Sequence, residues 1–131
     1  THLKKLRLEK EVSFLGWREN IEGFIEGADL FVLPSREEPF GVVLLEAMAS
    51  GTPIVATKTQ GPEEIFRSGE AVLCEVGDPE DLAKAIRFLL FGSDRWEMAL
   101  KASQIYRDRY SADVVVGRYL DLYKTLLENE R

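Results

Sequence analysis

The sequence predicts an α/β fold: a parallel sheet covered on both faces by helices. Three observations carry this. Short runs that are apolar throughout alternate with stretches whose apolar residues recur at helical spacing. The runs do not alternate between polar and apolar residues, so both faces of each strand are expected to be covered. Residues that end regular structure stand at the junctions, among them Gly16, Pro34, Gly51 and Gly69.

Taken in order, residues 3–10 read as the end of a helix, with Leu3 and Leu6 on one side. Residues 12–17 read as a short strand closed by Gly16. Residues 19–28 read as a short helix, with Ile21, Phe24, Ile25 and Ala28 at helical spacing. An apolar strand at 29–33 ends at Pro34, whose ring disfavours the helical region for its predecessor. A polar loop, 35–39, leads to a helix over 41–50 that Gly51 stops. A buried strand at 53–57, a short helix at 62–67 and a fourth strand at 71–76 follow. Asp78 then caps a helix running to Phe91, with Pro79 at its first position. Two amphipathic helices, 93–109 and 111–128, complete the chain. In the last, Val115, Tyr119, Leu122 and Leu126 form one stripe, widened by Val114 and Tyr123. That stripe is expected to exceed what this chain can cover. No repeat, low-complexity tract or linker interrupts residues 1–131, which are expected to form a single domain.

Composition narrows the function classes. Apolar residues make up 45% of the 131, enough for a real core. The net charge of −6 lacks the basic face that nucleic acid or an acidic membrane surface requires, so neither is an expected partner. A small anionic ligand stays open, because backbone amides hold phosphate without net positive charge. One His and one Cys give no credible zinc site. Cys74 lies in an apolar run and is expected to be a buried structural thiol, which fits a reducing, cytoplasmic setting. No apolar run is long enough to span a bilayer, and the charged first ten residues do not resemble a signal peptide.

Ligands of open parallel sheets sit beyond the carboxyl ends of strands. The segment after the strand at 29–33 runs Pro34-Ser35-Arg36-Glu37-Glu38-Pro39-Phe40-Gly41-Val42-Val43-Leu44-Leu45-Glu46. Pro39 and Gly41 shape a turn into a helix, and Gly41 admits close approach to the backbone. The first amides of that helix, near Gly41, Val42 and Val43, have no internal acceptor and carry the positive end of the dipole, a ready diphosphate site. Glu46 lies four residues after Val42, on the same face and about 6 Å along the axis, where it can accept hydrogen bonds from a ribose diol. Glu38 stands at the opposite end, where it can meet a sugar beyond the diphosphate. Each acid also has a plainer reading. Glu38 can be a solvated loop acid or a dipole partner, and Glu46 a surface carboxylate, although its apolar neighbours suggest a semi-buried position. Spacing alone leaves both readings open.

The string Phe31-Val32-Leu33-Pro34-Ser35, Glu38-Pro39-Phe40-Gly41 and Leu45-Glu46-Ala47-Met48-Ala49-Ser50-Gly51-Thr52-Pro53-Ile54-Val55-Ala56-Thr57 closely resembles the signature of group 1 (family 4) glycosyltransferases. That family carries two glutamates separated by seven residues, as Glu38 and Glu46 are. Flanking matches are Val12-Ser13-Phe14-Leu15-Gly16, Gly61-Pro62-Glu63-Glu64-Ile65 and Gly77-Asp78-Pro79. Such an ordered string is far more specific than two spaced acids. The resemblance implies a Rossmann-like, nucleotide-sugar-binding domain, the C-terminal half of a GT-B fold. It implies retaining transfer from a nucleoside-diphosphate sugar without a metal or other cofactor. By the same resemblance Glu38 meets the donor sugar as the catalytic-site acid. The amides of Phe40, Gly41 and Val42 hold sugar hydroxyls or phosphate, Glu46 holds the ribose, and the loop at Trp17 and Arg18 approaches the base.

The resemblance also marks what these residues lack. The family's C-terminal domain opens with two further strands, a glycine-rich turn and an Arg/Lys pair that neutralises the leaving diphosphate. An N-terminal acceptor domain precedes it. The expected sheet is therefore incomplete: four of six strands in the order 3-2-1-4-5-6, with residues 12–17 separated from 29–33. Arg36 and Lys58 are the nearest cations by sequence, and a solvated surface role is expected of both. The isolated chain is expected to be inactive. The alternative is a non-catalytic remnant that holds nucleotide-sugar without transfer. The Glu38 to Glu46 signature argues against an epimerase or a flavodoxin-like regulator.

Overall fold

The computed structural model describes residues 2–129. In chain order its elements are α1 (His2–Leu6), α2 (Glu22–Glu26), β1 (Phe31–Leu33), α3 (Val42–Ser50), β2 (Ile54–Thr57) and α4 (Gln60–Ile65). After them come β3 (Val72–Cys74), α5 (Pro79–Phe91), α6 (Arg95–Ile105), a π-helical turn (Tyr106–Tyr110) and α7 (Ala112–Asn129). The strands form one parallel sheet in the order β1-β2-β3, with Val32 opposite Val55 and Ala56 opposite Leu73.

The central strand shows why the sequence builds this sheet. Every residue of β2 is buried. Successive side chains of a strand point to opposite faces, and two cores result. Ile54 and Ala56 join Ile25, Leu44, Ala47, Met48, Ile65 and Phe66 on one face. Val55 joins Cys74, Ala85 and Leu89 on the other. Helices α2, α3 and α6 contribute to the first core and α5 to the second, which is the two-sided cover that uninterrupted apolar strands require. Cys74 is buried, and its thiol sits 3.5 Å from the Ala56 carbonyl. Burial pushes that thiol upward in pKa, with Asp81 adding to the shift, as befits a structural cysteine.

Local signals act where expected at α5. The Asp78 carboxylate accepts from the amides of Glu80 and Asp81, both at 3.0 Å, and Pro79 occupies the first turn. Helix α4 begins at Gln60, earlier than the expected 62–67. Its proline is tolerated because Pro62 falls in the first turn, where amides have no intrahelical acceptor.

Two expectations are corrected. Residues 12–17 form no strand, so the sheet among the described residues has three strands rather than four. A strand is stabilised only by a hydrogen-bonded neighbour, and none lies beside this segment; Phe14 and Trp17 are each 83% exposed. The helix expected over 93–109 is also not uniform. It ends at Ile105 and widens into the π-helical turn, where the Ser111 amide reaches back to the Tyr106 carbonyl at 2.9 Å. Helix α1 stops at Leu6, where Arg7 takes a left-handed φ of 56° and the Leu8 amide closes the turn on the Leu3 carbonyl at 3.1 Å, and α2 spans only Glu22–Glu26. Among the described residues no helix is long and apolar enough to cross a membrane.

Candidate functional site

The carboxyl ends of all three strands converge on one edge of the sheet. The loop after β1 is tied there: the Thr57 hydroxyl, at the end of β2, donates to the Ser35 carbonyl at 2.6 Å. Beyond Ser35 the chain turns over Glu38, Pro39 and Phe40 into α3. Gly61, in the first turn of α4, donates its amide to the Glu38 carbonyl at 2.8 Å. The contact is so close that a Cβ on Gly61 would lie 2.1 Å from the Phe40 carbonyl oxygen. On the ring side, Phe40 packs edge-on against Tyr110, with centroids 6.2 Å apart and planes at 66°.

Gly41 is the N-cap of α3 with φ of 88°, a left-handed conformation that favours glycine. A Cβ there would also meet Leu44 Cδ1 at 2.9 Å and Glu38 Cγ at 3.3 Å. Gly41 is thus explained first by its own backbone and neighbours, and closeness to a ligand is not needed to account for it. The Leu44 amide bonds the Gly41 carbonyl at 2.9 Å, which leaves the amides of Val42 and Val43 ahead of the first intrahelical bond.

Three hollows surround this helix start, and the acids divide between two of them. Glu38 is half-buried and lines a hollow of about 520 Å³ with Arg36, Glu37, Pro39, Lys58, Thr59 and Gln60, at the strand ends. Glu46 is also half-buried, as expected from its neighbours. It lines a larger hollow of about 950 Å³ with Phe40, Val42, Tyr106, Tyr110, Glu22 and Glu26. The Phe40 to Val42 segment is the ridge between them. Arg18 and Val43 border a third hollow of about 300 Å³ beside α2. Trp17 projects into solvent. Glu38 and Glu46 thus face different hollows rather than one continuous groove.

The cations behave differently from each other. Lys58 forms an ion pair with Glu75, tying the ends of β2 and β3, and that carboxylate holds the ammonium above its usual pKa range. Arg36 is exposed in the Glu38 hollow. Among the described residues the ion pairs involve neither Glu38 nor Glu46, and no cluster of His, Cys, Asp or Glu could hold a metal ion.

Sequence reasoning missed three contributors. Gly61 entered only as part of a matching flank; a glycine admits close backbone approach, but its place in the sequence does not name the Phe40 backbone as the neighbour. Tyr106 and Tyr110 stand four apart, a spacing that allows them to share one helix face; in the structure Tyr110 packs on Phe40 and both tyrosines line the Glu46 hollow.

The family model described as glycosyl transferases group 1 matches residues 1–108. The chain belongs to this family. Among curated members it is similar to the lipopolysaccharide core biosynthesis glycosyltransferase LpsE of Rhizobium meliloti, with 33% identity over 89% of this chain and 35% of that protein. The N-acetyl-alpha-D-glucosaminyl L-malate synthase of Bacillus anthracis is 34% identical over 98% of this chain and 34% of that protein. Among solved structures, sucrose-phosphate synthase from Thermosynechococcus elongatus superposes with a TM-score of 0.90 at 25% identity, over 98% of this chain and 33% of that one. Anabaena HepE in complex with UDP-glucose superposes with a TM-score of 0.83 at 31% identity, over 96% of this chain and 35% of that one. The Rossmann-like fold is that of these GT-B glycosyltransferases. The chain spans about a third of the length of the curated relatives it matches.

Proposed function

We propose that this group 1 chain is the donor-binding, C-terminal part of a retaining, family 4 glycosyltransferase that uses a nucleoside-diphosphate sugar. The observation that carries the reading is the arrangement around α3: Glu38 and Glu46 border separate hollows on either side of the Phe40 to Val42 backbone, whose amides open a helix. In this reading Glu38 contacts the donor sugar at the catalytic centre. The amides of Phe40, Gly41, Val42 and Val43 take phosphate or sugar oxygens, where unpaired N–H groups and the helix dipole favour negative charge. Glu46 takes the ribose diol, and Trp17 and Arg18 approach the base. The relative solved with UDP-glucose supports a nucleotide-sugar donor.

In retaining transfer the bond between the anomeric carbon and the diphosphate breaks, and the acceptor oxygen attacks from the same face. Charge grows on the departing diphosphate, and preorganised donors lower the barrier. Within this chain those donors are the helix amides. The cationic pair and the acceptor-binding domain are assigned to parts of the protein outside residues 1–131, which we read as a single partial domain. The chain alone would then bind donor without transferring sugar. Metal-independent action, in the cytoplasm, completes the proposal; the buried, unpaired Cys74 fits a reducing compartment.

Calorimetry with UDP, GDP and ADP on the full-length protein tests the reading. One nucleoside diphosphate is expected to bind, and Glu46→Ala is expected to weaken it by about 1.5–3 kcal/mol, the scale of hydrogen bonds to a charged acceptor. Equal affinity in wild type and variant would sink the ribose assignment. Glu38→Ala is expected to leave nucleoside diphosphate affinity in place and impair turnover.

A further inference from the structure

We propose that Gly61 is a positioning residue for Glu38, and that the first turn of α4 is the seat against which the Glu38 to Gly41 turn is pressed. The inference rests on the reading of Glu38 as the acid at the donor sugar. Two observations converge. The Gly61 amide holds the Glu38 carbonyl at 2.8 Å, fixing the backbone of the acid itself. A Cβ on Gly61 would stand 2.1 Å from the Phe40 carbonyl oxygen, 2.4 Å from its carbonyl carbon and 2.6 Å from its Cα. These are backbone atoms, so no side-chain rotation relieves the overlap. Ordinary contact begins near 3.4 Å, and more than an ångström of retreat is needed.

Helix α4 is poorly placed to yield, because Gly61, Pro62 and Ile65 are all buried and Ile65 belongs to the main core. The turn, by contrast, has exposed residues at Glu37, Pro39 and Phe40. The added methyl therefore moves the turn rather than the helix. Helix α3 holds Glu46 independently, through Leu44, Ala47 and Met48 in the core. Gly61 thus sets the position of one acid and leaves the other alone. A displacement of this size in a group that meets the reacting sugar costs about a hundredfold in rate.

The experiment uses the full-length protein with UDP and UDP-glucose, or with the GDP or ADP counterparts if the nucleotide panel selects that base. Nucleoside diphosphate affinity is read by calorimetry. Turnover is read as transfer of the sugar to water, which releases free sugar and nucleoside diphosphate. Gly61→Ala is expected to lower kcat about 100-fold, a larger loss than that in nucleoside diphosphate affinity, because the displaced Phe40 amide is one phosphate donor among several while Val42, Val43 and Glu46 keep their places on α3. Gly51→Ala is the control for general destabilisation: Gly51 has φ of 70° but open space where its Cβ would go, so the variant strains α3 at its far end without touching the turn. It is expected to lower the melting temperature and keep its turnover. Equal loss of turnover in both variants overturns the positioning role. Wild-type turnover in Gly61→Ala, with Glu38→Ala impaired, also overturns it; wild-type turnover in Glu38→Ala overturns instead the reading of Glu38 beneath it. The Glu38→Ala/Gly61→Ala variant is expected to be no slower than the slower single variant, and fully multiplying losses overturn the coupling. Should Gly61→Ala not fold, adding Tyr110→Ala gives the Phe40 ring room, and that variant is expected to fold with the same loss. Wild-type turnover there overturns the proposal.

Discussion

Helix α3, nine residues long, buries Leu44, Ala47 and Met48 completely, whereas α7, with eighteen residues, buries none of its side chains. Both helices are rich in apolar residues. Along α7, Tyr119, Leu122, Tyr123 and Leu126 are all more than half exposed, and Val114 and Val115 are only partly covered. The expected uncovered stripe is present. The difference lies in what stands opposite each helix. A three-stranded sheet backs α3, while only the start of α7 reaches the Glu46 hollow, through Ala112, Val115 and Tyr119. Amphipathic pattern states that a helix has a face to bury, and it does not supply the surface that buries it. Residues 12–17 teach the same lesson for a strand.

This contrast is open to direct attack. The largest effect is expected from Leu44→Ala, which leaves a cavity in the main core and costs about 2–5 kcal/mol in denaturant unfolding. A cost below that of a surface substitution would show the α3 core to be no better packed than α7. Next is Gly41→Ala. It forces a side chain into the left-handed region, at about 1–2 kcal/mol, and adds the overlap with Leu44. Its melting temperature is expected to fall below that of Val42→Ala, one residue on and exposed. Asp78→Ala removes the cap that accepts from two α5 amides, at about 1 kcal/mol; restoration by Asn would identify the hydrogen bonds rather than the charge. The smallest change is expected from Leu126→Ala, within about 0.5 kcal/mol in the isolated chain. A core-sized loss at Leu126 would mean that α7 finds a covering surface in solution, and light scattering would then report the partner copy.

Chemical labelling sharpens the same comparison. The Cys74 thiol is buried in the second core with its pKa raised, so its alkylation in the native chain is expected to be slow and to accelerate on unfolding. Labelling as fast as in the denatured chain would place the second core, formed by β3 and α5, among the loosely held parts.

Much of this was legible from residue types because the signals were local or periodic. Continuous apolar runs located β1, β2 and β3, and Asp78-Pro79 located the start of α5 within the expected boundaries. The half-buried state of Glu46 followed from its apolar neighbours on one helix. What failed depended on chain segments distant in sequence. The run at 12–17 has the composition of a strand, but a strand also needs a neighbour. Tyr106 and Tyr110 had helical spacing, yet the widened turn and Phe40 decided where they point.

The sequence by itself determined the alternation of strands and helices, the two-faced burial of the sheet, the cap of α5 and the ordered string that marks the family. Each rests on intrinsic preference, on period or on a motif, all written in consecutive residues. Only the tertiary structure decided that Glu38 and Glu46 open into different hollows, that Gly61 packs on the Phe40 backbone, and that Tyr110 packs on the Phe40 ring. Those outcomes depend on where the first turn of α4 and the π-helical turn come to rest against a loop twenty to seventy residues earlier. Close packing sets such distances, and one-dimensional spacing does not encode them.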